Sequence, residues 1–197
     1  MKFTRIPESA FKELVLNAGY LATTFDPAAG TAPEESALLG ATTGGINFTA
    51  VPSFTDFGED LDNCPKNMKE LKQIESWEVK CSGTYVSASA ENAKSMLGAA
   101  DVTTTSTVSK ITPRNDLKDS DFTDLWLLCD YSDKHGTTNG GFCAIHMLNT
   151  LSTGGFSLQT GDKAKGQMSF EYTAHYSITA QDTVPCEVYI KAGEDEA

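Results

Sequence analysis

The sequence is poor in positive charge, and it has no long apolar run, no closely spaced cysteine pair and only two tryptophans. Its 15 Lys+Arg stand against 27 Asp+Glu, a formal net charge of −12. Sequence-independent gripping of nucleic acid needs clustered Lys and Arg, so that class of function is excluded as the main task. The longest strictly apolar stretch, Leu125-Trp126-Leu127-Leu128-Cys129, falls far short of the roughly 20 residues of a bilayer span. No membrane partner is expected. The first residues carry basic side chains without an apolar segment behind them, so no secretory signal is expected either. Cys64, Cys81, Cys129, Cys143 and Cys186 are an odd number without CxxC spacing, set in apolar-patterned segments. That usage fits reduced, buried cysteines in a protein made in a cytoplasm.

What is present is a chain of 197 residues, enough for one domain with a real core. Alternation of apolar and polar side chains dominates from residue 44 onward. Met168, Phe170, Tyr172, Ala174, Tyr176 and Ile178 share one face of a long strand predicted over Gln167–Ile178. Trp77, Val79, Cys81 and Tyr85 do the same over Glu75–Val86. Ile46, Phe48 and Ala50 mark a shorter strand after Gly44-Gly45, and Val184, Cys186, Val188 and Ile190 another near the end. Asp124–Tyr131 and Phe142–Leu151 are apolar at nearly every position, which predicts central strands covered on both faces. Ser132–Gly141 between them has hairpin-turn composition. A helix over about 89–98 is marked by the capping Ser89, by Glu91, by the stripe Ala93, Met96, Leu97, and by Gly98. The expected organisation is an N-terminal arm over 1–43, a β domain over 44–191 with a long loop at 52–72, and an acidic tail at 192–197.

Catalytic arrangements fail on spacing. Cys143 and His146 are an odd number apart on a strand, so they face opposite ways. His135 and His175 lack metal-ligand spacing to a partner. Gly161–Gly166 has the glycines of a phosphate loop, but Gln167 and Met168 stand where Lys and Ser/Thr are needed. Asp116, Asp119, Asp121 and Asp124 lack the glycine and terminal Glu of a calcium loop. No catalytic residue, metal or cofactor is therefore expected. Charge layout remains: Asp56, Glu59, Asp60 and Asp62 precede Lys66, Lys69 and Lys72. Two adjacent patches of opposite sign are either plain solvated surface or the halves of a head-to-tail contact between copies.

A series of motifs resembles the major tail tube proteins of long-tailed bacteriophages and prophages of Gram-positive hosts. They are Gly40-Ala41-Thr42-Thr43-Gly44-Gly45-Ile46-Asn47-Phe48, Asp56-Phe57-Gly58-Glu59-Asp60-Leu61-Asp62-Asn63, Lys80-Cys81-Ser82-Gly83-Thr84, Thr123-Asp124-Leu125-Trp126-Leu127, Ser152-Thr153-Gly154-Gly155-Phe156-Ser157-Leu158-Gln159-Thr160, and Phe170–Ser177. The resemblance spans roughly residues 14–191. It implies a mainly β chain: an antiparallel β-sandwich with one short flanking helix, assembled as six-membered rings that stack into a tube. It also implies the other tail proteins as partners (tape measure, terminator, distal tail), DNA passing through without specific binding, and residence in the virion tail after synthesis in the bacterial cytoplasm. On that reading Asp56, Glu59, Asp60, Asp62, Lys66, Lys69 and Lys72 are candidates for ring stacking. Glu78, Lys80, Glu171, Thr173 and His175, on the wet faces of two strands, are candidates for the channel lining. The inner tube of a contractile tail or tailocin is the alternative within this class. A β-sandwich carbohydrate or adhesion module is the alternative outside it, and a hydrolase comes third.

Overall fold

A computed structural model of the chain describes residues 5–131 and 140–193. Along them run β1 (Val15–Ala22), β2 (Thr42–Asp56), β3 (Lys72–Tyr85), α1 (Ala90–Leu97), β4 (Ala100–Thr105), β5 (Val108–Pro113), β6 (Thr123–Tyr131), β7 (Gly141–Ser152), β8 (Met168–Thr173) and β9 (Cys186–Lys191). The chain is mainly β, and every strand pairing among the described residues is antiparallel. The predicted turn at Ser132–Gly141 lies mostly outside the described residues, as does most of the 192–197 tail.

Seven strands form one sheet in the order β1-β6-β7-β8-β3-β2, with β9 also paired to β7. β7 is the joint. Its Phe142–Met147 stretch is flanked by β6 and β9, while Leu151 and Ser152 pair with Thr173 and Tyr172 of β8. One arm of the sheet is thus β1, β6, β7 and β9, and the other is β8, β3 and β2. Leu21, Leu125, Leu127 and Met147 from the first arm meet Val79, Cys81, Tyr85, Met168, Phe170 and Tyr172 from the second in one core. Each such side chain removed from water contributes about 1.5–3 kcal/mol. On its other face the first arm holds a smaller cluster of Ala22, Trp126, Leu128 and Ala144, with Phe25, Phe142 and Tyr189 against it. This double covering is why β6 and β7 read as continuous apolar runs.

The helix is where its caps place it. The Ser89 hydroxyl accepts from the Asn92 N–H at 3.0 Å, and Gly98 closes the last turn through its N–H to Lys94 and Ser95 carbonyls. Met96 plugs the core, and Ser95 meets the Tyr172 hydroxyl at 2.9 Å.

Four boundaries depart from the sequence reading. Residues 1–43 are not an arm throughout, because β1 pairs along β6 and Leu21 and Ala22 are completely buried. A register shift between Leu16 and Tyr20, with Asn17 at φ 64°, breaks the alternation that would have revealed the strand. The loop read at 52–72 is shorter: β2 starts at Thr42, runs through Pro52 to Asp56, and pairs there with Lys72, leaving 57–71 as the connection. The strand read over Gln167–Ile178 stops at Thr173. Beyond it the Ala174 N–H donates to the Val79 carbonyl but the His175 N–H donates to Leu148, so the chain leaves the ladder. Finally, β4 and β5 form a separate two-stranded hairpin that no apolar alternation announces, because almost all its residues face water.

Candidate functional site

The β2–β3 hairpin is the most prominent device on the molecule. Its strands pair from Thr42–Tyr85 to Asp56–Lys72, a ladder of roughly 45 Å at about 3.3 Å per residue. The core holds only its base, through Ile46, Phe48, Ala50, Trp77, Val79, Cys81 and Tyr85. Gly44 and Gly45, both at positive φ, accommodate the register shift between Thr43 and Ile46. Beyond Trp77 the hairpin projects, and Phe54 and Ile74 are exposed.

Its tip is folded, not slack. The Asp56 carboxylate accepts N–H bonds from Gly58 and Asn67, both at 2.9 Å. These two bonds, ahead of the charges of Lys72 and Lys66, hold its carboxyl below the ordinary range. Lys72 lies 4.8 Å over the Phe54 ring and donates to Asn67 at 3.4 Å. Asp56 and Lys72 therefore serve the tip's own geometry. Glu59, Asp60, Asp62 and Lys66 are exposed and make no ion pair among the described residues, while Lys69 meets Glu70 at 3.5 Å. Between the acids stand Phe57 and Leu61, 57% and 53% exposed. Both interleave with the acids in the sequence, where charge alone does not mark them.

The outer face of the second arm gathers four of the five channel-lining candidates. Lys80 is opposite Thr49 on one side and Thr173 on the other, and Ser82 is opposite Asn47 and Glu171. Lys80 meets Glu78 at 2.5 Å; that hydrogen bond and charge, with Glu171 adding less, raise the lysine's pKa. Thr153 donates to Glu171 at 3.1 Å and lies 2.8 Å from the Thr173 hydroxyl. His175 is not on this face. Its ring packs edge-on to Phe122 at 5.3 Å and its Nδ1 approaches the Asn149 carbonyl at 3.1 Å, because the chain has left the ladder by then. On the far side of this arm β2 is the edge strand, and its outer row of backbone groups pairs with nothing in the described chain.

Other polar clusters have structural employment. Arg114 joins Asp121 at 2.6 Å, the Asp116 carbonyl at 2.9 Å and Asp101 at 3.0 Å, tying the β4–β5 hairpin to the turn before β6. The Asp121 carboxyl is held below the usual range by the Lys118 N–H first and by Arg114 after it. His146 stacks on Trp126 with centroids 4.0 Å apart, between Asp124 at 3.2 Å and Glu187 at 3.6 Å. Cys143 is on the opposite face of β7, across from Cys129, as the odd spacing requires. A cleft of about 280 Å³ lies between α1 and the sheet, lined in part by Glu91, Lys94, Ser95, Asp121 and Thr150. Ser95, Asp121 and Thr150 are already bonded to Tyr172, Arg114 and the Thr123 carbonyl. No group of three or more His, Cys, Asp or Glu among the described residues could hold a metal ion, and no described helix is long and apolar enough to cross a membrane.

No protein-family model matches the chain, and no curated protein matches it.

Proposed function

We propose that this chain is the subunit of a tail tube, a structural protein of the virion tail that stacks as six-membered rings around a DNA channel and has no catalytic role. The observation that carries the reading is the β2–β3 hairpin: a free-edged ladder with one apolar and one polar face, ending in a folded tip of unpaired charge and exposed apolar groups. An edge strand of 15 residues is a liability in a lone subunit and an asset in a shared barrel, where every edge finds a neighbour. In such a ring the β2 edge pairs with the next subunit, and the second arm presents Glu78, Lys80, Glu171 and Thr173 to the lumen. The tip, with Glu59, Asp60, Asp62, Phe57 and Leu61, reaches the adjoining ring. There it meets a different surface of the same protein, which is what head-to-tail stacking requires.

The acidic balance fits the task. A ring of six would carry six times the subunit's −12, and a conduit that repels phosphates does not hold its cargo. Tape measure, terminator and distal tail proteins would be its partners at the tube's ends and interior. Whether the tube stands alone or inside a contractile sheath is a question of its neighbours. Negative-stain microscopy of the concentrated protein tests the proposal: rings or hollow tubes are expected. A monodisperse small species at every concentration and salt condition would favour the carbohydrate or adhesion module instead.

A further inference from the structure

Cys129 of β6 and Cys143 of β7 are directly opposed in the ladder. Opposed residues of an antiparallel pair have Cα atoms about 4.5–5.5 Å apart, within the roughly 4.4–6.8 Å that a disulfide spans. Opposed side chains also share a face. Both cysteines are half-buried, whereas Cys81 is sealed in the core. Above Cys129 the edge strand β1 carries Gly19, where an added Cβ would come within 2.6 Å of the Cys129 Sγ, so the sulfur leans toward β1 and turns about χ1 to meet Cys143 on β7. Beside Cys143 lies Ile190 of β9, 61% exposed, with Val188 and Val15 exposed on the same side. Here the face of the first arm is partly open to solvent.

We propose that Cys129 and Cys143 form a reversible cross-strand disulfide, with a small-molecule disulfide of the glutathione type as oxidant. The more exposed Cys143 thiolate attacks a sulfur of the oxidant, expels one glutathione thiolate and becomes a mixed disulfide. The Cys129 thiolate then attacks the Cys143 sulfur and expels the second glutathione. The two cysteines lose two protons and two electrons; the oxidant gains both and ends as two thiols. The bond is a labile one. Opposed Cβ atoms stand about 4.5–5.5 Å apart, wider than the roughly 3.8 Å mean of a relaxed bridge, so the strands must draw together, and strained bridges are the readily reduced ones. Burial pushes the Cys129 thiol to about 11 and raises that of Cys143 as well, so exchange is slow near neutrality and quickens with pH.

The test uses the native full-length chain with graded glutathione disulfide, alkylation, trypsin and mass spectrometry. Trypsin places Cys129 in the peptide 119–134 and Cys143 in 135–163, with each remaining cysteine in a different peptide. The expected product is these two peptides joined and lighter by two hydrogens. It should form roughly 10- to 30-fold faster at pH 8.5 than at pH 7, return to thiols with dithiothreitol, and leave Cys81 free. In Cys129→Ser the remaining Cys143 should stop as a glutathione adduct. A link through any other pair, adducts on both cysteines without a link, or no oxidation at any ratio would overturn the proposal. The first readout needs no variant to fold.

Discussion

Tyr85 is sealed in the core against Phe170, ring centroids 4.3 Å apart, yet its hydroxyl has no hydrogen bond of ordinary geometry, only a weak contact with the Tyr172 hydroxyl, which Ser95 meets at 2.9 Å. A buried unpaired donor costs about 1–3 kcal/mol. Tyr85→Phe is therefore expected to raise stability by about 1 kcal/mol, read as a higher urea midpoint at unchanged slope. Asp121 illustrates the opposite case. Its carboxylate is stabilised by the Lys118 N–H and by Arg114, so its folded pKa is lowered and its contribution is present above the unfolded value. That support is lost as pH falls through the lowered folded value. The protection of residues 100–113 against hydrogen exchange, taken relative to the intrinsic amide rate at each pH, is expected to fall on acidification below the ordinary carboxylate range, and Asp121→Asn should bring the lower protection to neutral pH. Native protection in the variant at neutral pH would disprove the link.

At the scale of elements, the tip of the β2–β3 hairpin separates folding from assembly. Phe57 and Leu61 are exposed, so Leu61→Ser should change subunit stability by no more than about 0.5 kcal/mol. If the tip is buried at a ring junction, the same change removes about 1.5–3 kcal/mol of apolar burial there and raises the concentration needed for tubes about tenfold or more. Sedimentation across a concentration series measures it, and an unchanged threshold would remove Leu61 from the junction. The helix gives a smaller effect: Ser89→Ala should cost about 1 kcal/mol through the lost cap. These elements differed in how plainly the sequence announced them. β3, β6, β7 and α1 were legible because each puts a regular face on the core, and β9 because its apolar residues alternate, although Val188 and Ile190 are exposed. β1 was not, since its bulge at Asn17 interrupts the period, and β4 and β5 were not, since strands wet on both faces carry no alternation. The charged residues of the tip were legible as a group. The apolar pair among them was not, because a loop has no period against which Phe57 and Leu61 could stand out.

For the whole molecule, the polar face of the second arm offers the decisive contrast. Glu171 shares that face with Lys80, whose own charge is already matched by Glu78. Glu171→Lys would make the face more positive in every subunit of a ring. If that face lines a channel, the change should leave assembly intact while slowing DNA release, by adding phosphate attraction. Cryo-electron microscopy of the tube with Glu171 and Glu78 both on the outer surface would end that assignment. β7 has a consequence of another kind. Because this one strand joins the two arms, and the core between them draws on both, neither arm keeps its apolar face covered once the other is lost. The protein should therefore lack a half-melted state. Trp126 reports from β6 in one arm and Trp77 from β3 in the other. With each tryptophan retained alone, the other replaced by Phe, both probes should trace one cooperative transition whose fluorescence and circular-dichroism midpoints coincide within each variant.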